Sequence, residues 1–147
     1  MGQLEQMFLG EFVHTIDDKG RLTIPAKFRG ELAAGLVITR GFDRNLMLFP
    51  LDGWQNLADE IATRPLSDEG MRAFRRRVFS GAADLVPDRQ GRIVLPAYLR
   101  EFAGIETEVV VTGMYNYLEI WNADNWQAVR TEVEESDDAT RWDDLGI

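Results

Sequence analysis

The chain has 147 residues, 45% of them hydrophobic, and can bury a core in one domain or in two small fused ones. The absence of cysteine excludes disulfides, thiolate metal sites and cysteine catalysis, and the lack of a signal peptide or a run of ~18 apolar residues predicts a cytoplasmic protein without membrane contact. The 16 Lys and Arg and 25 Asp and Glu residues give a net charge of −9, which is unfavourable for binding nucleic acid.

Residues 11–63 carry the pattern of four strands and two helices. A D-x-x-G-R sequence follows the first strand, and its Gly20 can adopt the positive φ that a tight β-hairpin requires. Pro25, like Pro96 in the second half of the chain, suits the first position of a short helix, because its missing N–H needs no partner there. Asp52 is the expected N-cap of a longer amphipathic helix. The predicted strands are Glu11 to Ile16, Arg21 to Ile24, Leu36 to Thr39 and Leu46 to Phe49, and the predicted helices are Ala26 to Leu32 and Gly53 to Thr63.

A further helix, Asp68 to Phe79, is predicted to connect this unit to the rest of the chain, with Ser67 as its N-cap. Its apolar stripe consists of Met71, Phe74 and Val78, and its arginines are Arg72, Arg75, Arg76 and Arg77. These arginines could contact phosphate. Pairing with acidic residues of a neighbouring subunit, or simple solvation, is the preferred interpretation.

The second half of the chain repeats the first. Asp17 to Ala26 aligns with Asp88 to Ala97 without a gap, and the match continues through Arg29 and Arg100. The second copy predicts strands Ala83 to Val86, Arg92 to Leu95, Glu108 to Thr112 and Tyr117 to Trp121, and helices Ala97 to Phe102 and Ala123 to Glu135 with Asn122 as N-cap. The order β-β-α-β-β-α, written twice, predicts an α+β fold with pseudo-two-fold symmetry.

These patterns divide the chain into four parts. The first repeat spans residues 11–63, a connecting basic helix spans 64–82, and the second repeat spans 83–135. Residues 136–147 form an acidic tail with four aspartates and one arginine. Acidic and basic residues are therefore partly segregated, although an ordinary mixed surface explains this distribution as well as a DNA-binding face does.

The doubled motif resembles the MraZ family, which belongs to the AbrB-like, swapped-hairpin group of DNA-binding folds. The resemblance rests on Met7-Phe8-Leu9-Gly10, on D-x-x-G-R-L-x-x-P from Asp17 to Pro25, and on D-x-x-G-R-I-x-x-P from Asp88 to Pro96. It covers residues 7–135, so residues 1–6 precede the usual family start and the acidic tail is peripheral to the pattern.

The resemblance implies a bacterial transcriptional regulator that associates with the nucleoid. It implies binding to direct repeats in the promoter of its own division and cell-wall operon, with repression as the expected outcome. It also implies a single AbrB-like domain built from two pseudo-symmetric ββαββα repeats, assembled into a homo-oligomeric ring, an octamer or similar. Double-stranded DNA is the implied partner, and no cofactor, metal or small-molecule substrate is expected.

The D-x-x-G-R elements are the DNA-contacting elements that the resemblance implies. Carried onto this chain, these residues are Asp17, Lys19, Gly20 and Arg21 in the first element and Asp88, Gly91 and Arg92 in the second. The second element departs from the first in having Gln90 at the position of Lys19, and we include Arg89, which immediately precedes it. The two elements are therefore expected to contribute unequally.

The residue types also suit DNA on physical grounds. A glycine turn lets the backbone approach a groove without a Cβ in the way. An arginine beside it can donate two hydrogen bonds to guanine, and a nearby lysine suits phosphate. The aspartate can brace its own arginine or cap the turn. The competing interpretation is that D-x-x-G-R is only a well-formed turn with a local ion pair.

Two other classes of function compete with a DNA-binding regulator. An enzyme has little support, because the sequence has one histidine and none of the common nucleophile, P-loop or metalloprotease motifs. An oligomeric scaffold that binds and regulates a partner enzyme without contacting DNA is the better rival, and the acidic balance favours it. His14 and the repeated Trp54, Trp121 and Trp126 are expected to be structural.

Overall fold

The computed structural model describes residues 7–135 and 139–146. In this part the strands are β1 (Glu11–Thr15), β2 (Arg21–Thr23), β3 (Leu36–Arg40), β4 (Leu46–Pro50), β5 (Ala83–Leu85), β6 (Arg92–Val94), β7 (Glu108–Gly113) and β8 (Leu118–Asn122). The helices are α1 (Arg29–Leu32), α2 (Leu51–Ala62), α3 (Glu69–Val78), α4 (Ala97–Ala103) and α5 (Ala123–Glu135), with 3-10 segments at Ala26–Phe28 and Ala139–Leu145. This order confirms the α+β class and the doubled ββαββα unit. Residues 1–6, and residues 136–138 and 147 of the predicted acidic tail, lie outside the described residues.

The two repeats exchange strands in a single sheet. Its six strands run in the order β1-β7-β8-β4-β3-β5, and β4 pairs with β8 at the centre. The first strand of each repeat pairs with the third strand of the other, β1 with β7 and β5 with β3. The sheet is therefore pseudo-symmetric about the β4–β8 pair. The first strand of each repeat depends on the other repeat for its hydrogen-bonding partner.

The prediction that the two strands flanking each D-x-x-G-R turn pair with each other as a tight hairpin is wrong. In the first repeat a single bridge, Ile16 to Leu22, joins the strands on either side of the turn. Beyond it β1 turns away into the large sheet, while β2 pairs with β6. A continuing hairpin would next pair Thr15 with Thr23, but Thr15 pairs with Glu108 and Thr23 pairs with Arg92.

The β2–β6 pair is a short antiparallel ribbon that holds the two turns together. Leu22 and Ile93 face each other in its middle and are buried, with 1% and 2% of their surfaces exposed. The ribbon extends by one bond at each end, from the Ile24 N–H to the Gly91 carbonyl and from the Leu95 N–H to the Gly20 carbonyl. Because the buried pair belongs to the main core, the ribbon is fixed to the sheet.

The helix starts are shifted from their predicted positions. Pro25 and Pro96 are N-caps with extended ψ rather than first helical residues, and their carbonyl groups accept the first bonds of the turn that follows. Helix α2 begins after Pro50, so Asp52 lies in its first turn, where a carboxylate is favourable. Asp68, not Ser67, caps α3 by accepting the Met71 N–H.

Two further predictions are confirmed, the N-cap of α5 and the packing role of the tryptophans. Asn122 caps α5 by accepting the Asn125 N–H through its side-chain oxygen. Trp121 is 2% exposed and packs against Trp126, while Trp54 packs on Phe49. The tryptophans therefore contribute to packing, as expected.

Candidate nucleic-acid interface

The first D-x-x-G-R element forms a closed loop around one carboxylate. One oxygen of Asp17 accepts the backbone N–H groups of Lys19, at 3.0 Å, and Arg21, at 2.8 Å. The other oxygen accepts the Arg21 Nε–H at 2.6 Å. Gly20 has φ +78°, which lets the chain turn back so that its own N–H reaches the Asp17 carbonyl. The aspartate both caps the turn and braces the arginine.

The second element repeats this geometry. One oxygen of Asp88 accepts the N–H groups of Gln90 and Arg92, both at 2.9 Å, and the other accepts the Arg92 Nε–H at 2.9 Å. Gly91 has φ +75°. The arginine side chains of both loops retain 29% of their exposure, so the brace orients each guanidinium without burying it. We name the two elements the first loop (residues 17–21) and the second loop (residues 88–92).

Hydrogen bonds keep both bracing aspartates charged. The backbone N–H of Arg21 is the main cause that lowers the pKa of Asp17, and burial opposes this effect in part. The backbone N–H of Arg92 lowers the pKa of Asp88 in the same way. Since both carboxylates are ionised at neutral pH, each offsets the charge of its own arginine. The braced arginines therefore supply directed hydrogen-bond donors more than net positive charge.

The ribbon places Arg21 and Arg92 on the same face. Arg21 pairs with Val94, and Thr23 pairs with Arg92. Because side chains alternate along a strand, these four residues share one face, opposite the buried Leu22 and Ile93 layer. Arg21 and Arg92 are diagonal neighbours in this register, about 7–8 Å apart at the backbone. We name the surface formed by Arg21, Thr23, Arg92 and Val94 the ribbon face.

Two further arginines, which the sequence argument aligned but did not assign to the site, lie against the loops. Arg29 of the first repeat packs on Gly91, where an added Cβ would lie 2.7 Å from its Cδ and Nε. Arg100 of the second repeat packs on Gly20, where a Cβ would lie 3.1 Å from its Cζ. Their Nε–H groups donate to the carbonyl groups of Ile24 and Leu95, at 2.9 and 3.0 Å. Each loop is therefore flanked by an arginine of the other repeat.

The two loops differ in charge at their tips. The first loop has Asp18 and Lys19 between its aspartate and its glycine, and the second has Arg89 and Gln90. All four residues are exposed. The first tip is therefore neutral and the second carries one positive charge, which gives a physical basis for the unequal contribution predicted from the sequence.

The arginines of α3 mostly contact the protein itself. Arg77 donates from Nε to the Gly41 carbonyl at 3.0 Å and lies over the Phe102 ring, 5.2 Å from its centroid. Arg72 donates to the Leu66 carbonyl, and Arg75 lies over the Phe79 ring. These contacts within the subunit favour a structural role, and pairing with acidic residues of a neighbouring subunit stays a prediction.

His14 does not add charge to this surface at neutral pH. It lies on β1, and burial is the main cause that lowers its pKa, with a smaller effect from the charge of Arg29. The imidazole is therefore neutral at pH 7.

The described residues form no cluster suited to a metal ion. None of their helices is long and apolar enough to span a membrane. Among them no group of three or more histidine, aspartate or glutamate side chains is arranged to hold a metal ion.

The chain is similar to a known protein family and to several proteins that share one name. A family model described as "MraZ protein, putative antitoxin-like" matches the chain twice, over residues 7–77 and 78–145. A protein of Herpetosiphon aurantiacus named Transcriptional regulator MraZ is 56% identical over 84% of this chain and 86% of its own length. Proteins with the same name from Thermomicrobium roseum and Moorella thermoacetica are 53% and 46% identical, over 83% and 90% of this chain and 86% and 93% of theirs.

Proposed function

The chain belongs to the MraZ family, and on that premise we propose that it is a transcriptional regulator that binds specific DNA sequences through its two loops. The observation that carries this proposal is the ribbon face, on which Arg21 and Arg92 are diagonal neighbours and each guanidinium is oriented by its own aspartate. A forked donor held in one orientation suits the paired acceptors of guanine in the major groove. Its relatives are named as transcriptional regulators, which supports the same function.

The biological setting of this activity is also proposed. We infer that the chain binds repeated boxes in the promoter of its own division and cell-wall operon and represses it, in the cytoplasm and in association with the nucleoid. An assembly of identical subunits supports recognition of repeated boxes, because each subunit presents the same pair of loops to the DNA. No catalytic role is assigned to any residue.

A ring oligomer, an octamer or similar, reconciles the acidic composition with DNA binding. One subunit has a net charge of −9, and its bracing aspartates offset the two loop arginines. A ring repeats the ribbon face around one surface, and each further contact then forms at a high effective concentration. Local charge within about 10 Å decides the attraction at 0.1 M salt, so acidic residues elsewhere on the ring matter little.

Binding to the chain's own upstream DNA is expected to depend steeply on salt. If the assembly contacts 6–10 phosphates, affinity falls roughly 10³- to 10⁵-fold between 50 and 200 mM salt. A mobility-shift titration at several salt concentrations measures this, with a shuffled duplex of equal length as the control. Binding that does not change with salt, or no preference over the shuffled duplex, contradicts the proposal.

The acidic balance favours one alternative, an oligomeric scaffold that regulates a partner enzyme without contacting DNA. The same titration separates the two functions. A scaffold leaves both duplexes unshifted at low salt, where electrostatic attraction to DNA is strongest.

A further inference from the structure

A small cleft lies between Arg29 of the first repeat and the second loop. Its volume is about 150 Å³, and its lining includes Arg29, Asp88, Arg89 and Gly91. One water needs about 10–15 Å³ of such space, so the cleft has room for a tetrahedral anion of five heavy atoms such as phosphate. Two arginines from different repeats thus border a cleft that fits one tetrahedral anion.

Arg29 has donors available for such an anion. Its Nε–H is bound to the Ile24 carbonyl at 2.9 Å, which fixes the side chain against Gly91. Within residues 7–135 and 139–146, no carboxylate oxygen lies within 4.0 Å of its nitrogens. The charge of Arg29 is therefore not offset by a partner, unlike the charges of Arg21 and Arg92, and its two terminal nitrogens form no hydrogen bond within these residues.

The carboxylate in the lining does not cancel this charge. Both oxygens of Asp88 are occupied, one by two backbone N–H groups and the other by the Arg92 Nε–H. Its negative charge is balanced by Arg92, which leaves the net charge of Arg29 and Arg89 facing the cleft.

We propose that this cleft binds a backbone phosphate of DNA, with Arg29 and Arg89 as its ligands. The inference rests on the proposed function and adds to it a contact that positions the duplex without reading its sequence. The second loop then supplies both kinds of contact, a braced arginine toward the bases and a cationic cleft toward the backbone.

The pseudo-symmetry of the fold provides an internal comparison. Arg100 packs on Gly20 as Arg29 packs on Gly91, and its Nε–H is bound in the same way to Leu95. The position equivalent to Arg89 is Asp18 in the first loop, however, so an anion there meets a negative charge. Phosphate binding is therefore expected beside Gly91 and to be much weaker beside Gly20.

The test is Arg29→Gln in the full-length protein. The Nε2 of glutamine lies at the same number of bonds from the backbone as the arginine Nε, so it can keep the bond to Ile24 while the charge is lost. We expect affinity to fall roughly two- to fivefold for each engaged subunit, equally for the upstream and shuffled duplexes. The slope of log affinity against log salt falls by about 0.9 for each lost contact.

Two matched variants remove the same charge elsewhere. Arg100→Gln is expected to have a smaller effect than Arg29→Gln, and Arg64→Gln, on an exposed pair with Glu60 after α2, to leave affinity and slope unchanged. An unchanged salt slope in Arg29→Gln, or equal losses in all three variants, overturns the phosphate cleft while the proposed function stands. If the wild-type protein binds neither duplex, the proposed function fails as well.

Discussion

Replacing Arg21 and Arg92 together with alanine is expected to abolish preference for the upstream DNA while the protein stays folded. Each bidentate arginine contact to guanine contributes about 1–3 kcal/mol of discrimination, or roughly 5- to 150-fold. The two losses multiply within a subunit, and again over the subunits that engage the DNA. Competition between the upstream and shuffled duplexes measures the change in preference directly.

Arg64→Ala is the matched control for this experiment. It also removes an arginine from an i, i+4 pair with an acid, at 3.1 Å, but in an exposed segment just after α2. We expect it to leave sequence preference unchanged. Circular dichroism and sedimentation of the double variant complete the test. Loss of the fold or of the assembly would show that Arg21 and Arg92 are structural residues.

Replacing Ile93 with alanine is expected to lower the free energy of unfolding by about 2–5 kcal/mol, the usual range for a buried Ile→Ala change. Ile93 faces Leu22 in the middle of a ribbon only three residue pairs long, and it belongs to the main core. The same variant should weaken specific DNA binding, because the ribbon holds both loops in position.

The neighbouring residue gives the control for Ile93. Val94 lies on the same strand but points to the ribbon face and is 54% exposed. We expect Val94→Ala to change stability by no more than ~0.5 kcal/mol. Urea denaturation of both variants measures the difference. Equal effects would show that the alternation along β6 does not separate a core layer from an exposed face.

The elements of this fold could be predicted because their signals are local. Each strand, glycine turn and amphipathic helix has a sequence pattern within about ten residues. Because the chain is a repeat, each pattern occurs twice, and the second copy supports the assignment of the first. The errors in the helix starts have the same origin. Capping positions next to Pro50, Asp68 and Pro96 differ by one or two residues, which periodicity does not resolve.

The strand partners could not be predicted in the same way. The pairing of β1 with β7 joins residues such as Val13 and Val110, which are far apart in the sequence. A hairpin and an exchanged pair have the same alternation of apolar residues, so the pattern does not separate them. The decisive contacts lie beyond the Ile16–Leu22 bridge, where Thr15 pairs with Glu108 and Thr23 pairs with Arg92, both distant in the sequence.

The hydrogen bonds within each loop could be predicted from the sequence, but the residues that pack against the loops could not. An aspartate four residues before an arginine across a glycine predicts a capped turn with an ion pair, and both loops have this geometry. That Arg29 and Arg100 pack on these glycines depends on the exchange of strands between the repeats. The available signal was their presence in both copies, which alone does not distinguish a structural arginine from a functional one.

Site-specific photocrosslinking tests most directly whether the ribbon face contacts DNA. A benzoylphenylalanine at Val94, opposite Arg21 on that face, should crosslink to the upstream duplex, and the Arg21→Ala, Arg92→Ala background should reduce the crosslink to the level of the shuffled duplex. The same probe at Val133, which is 43% exposed on α5, should not react. Crosslinks from position 133 with none from position 94 would contradict DNA binding through the ribbon face.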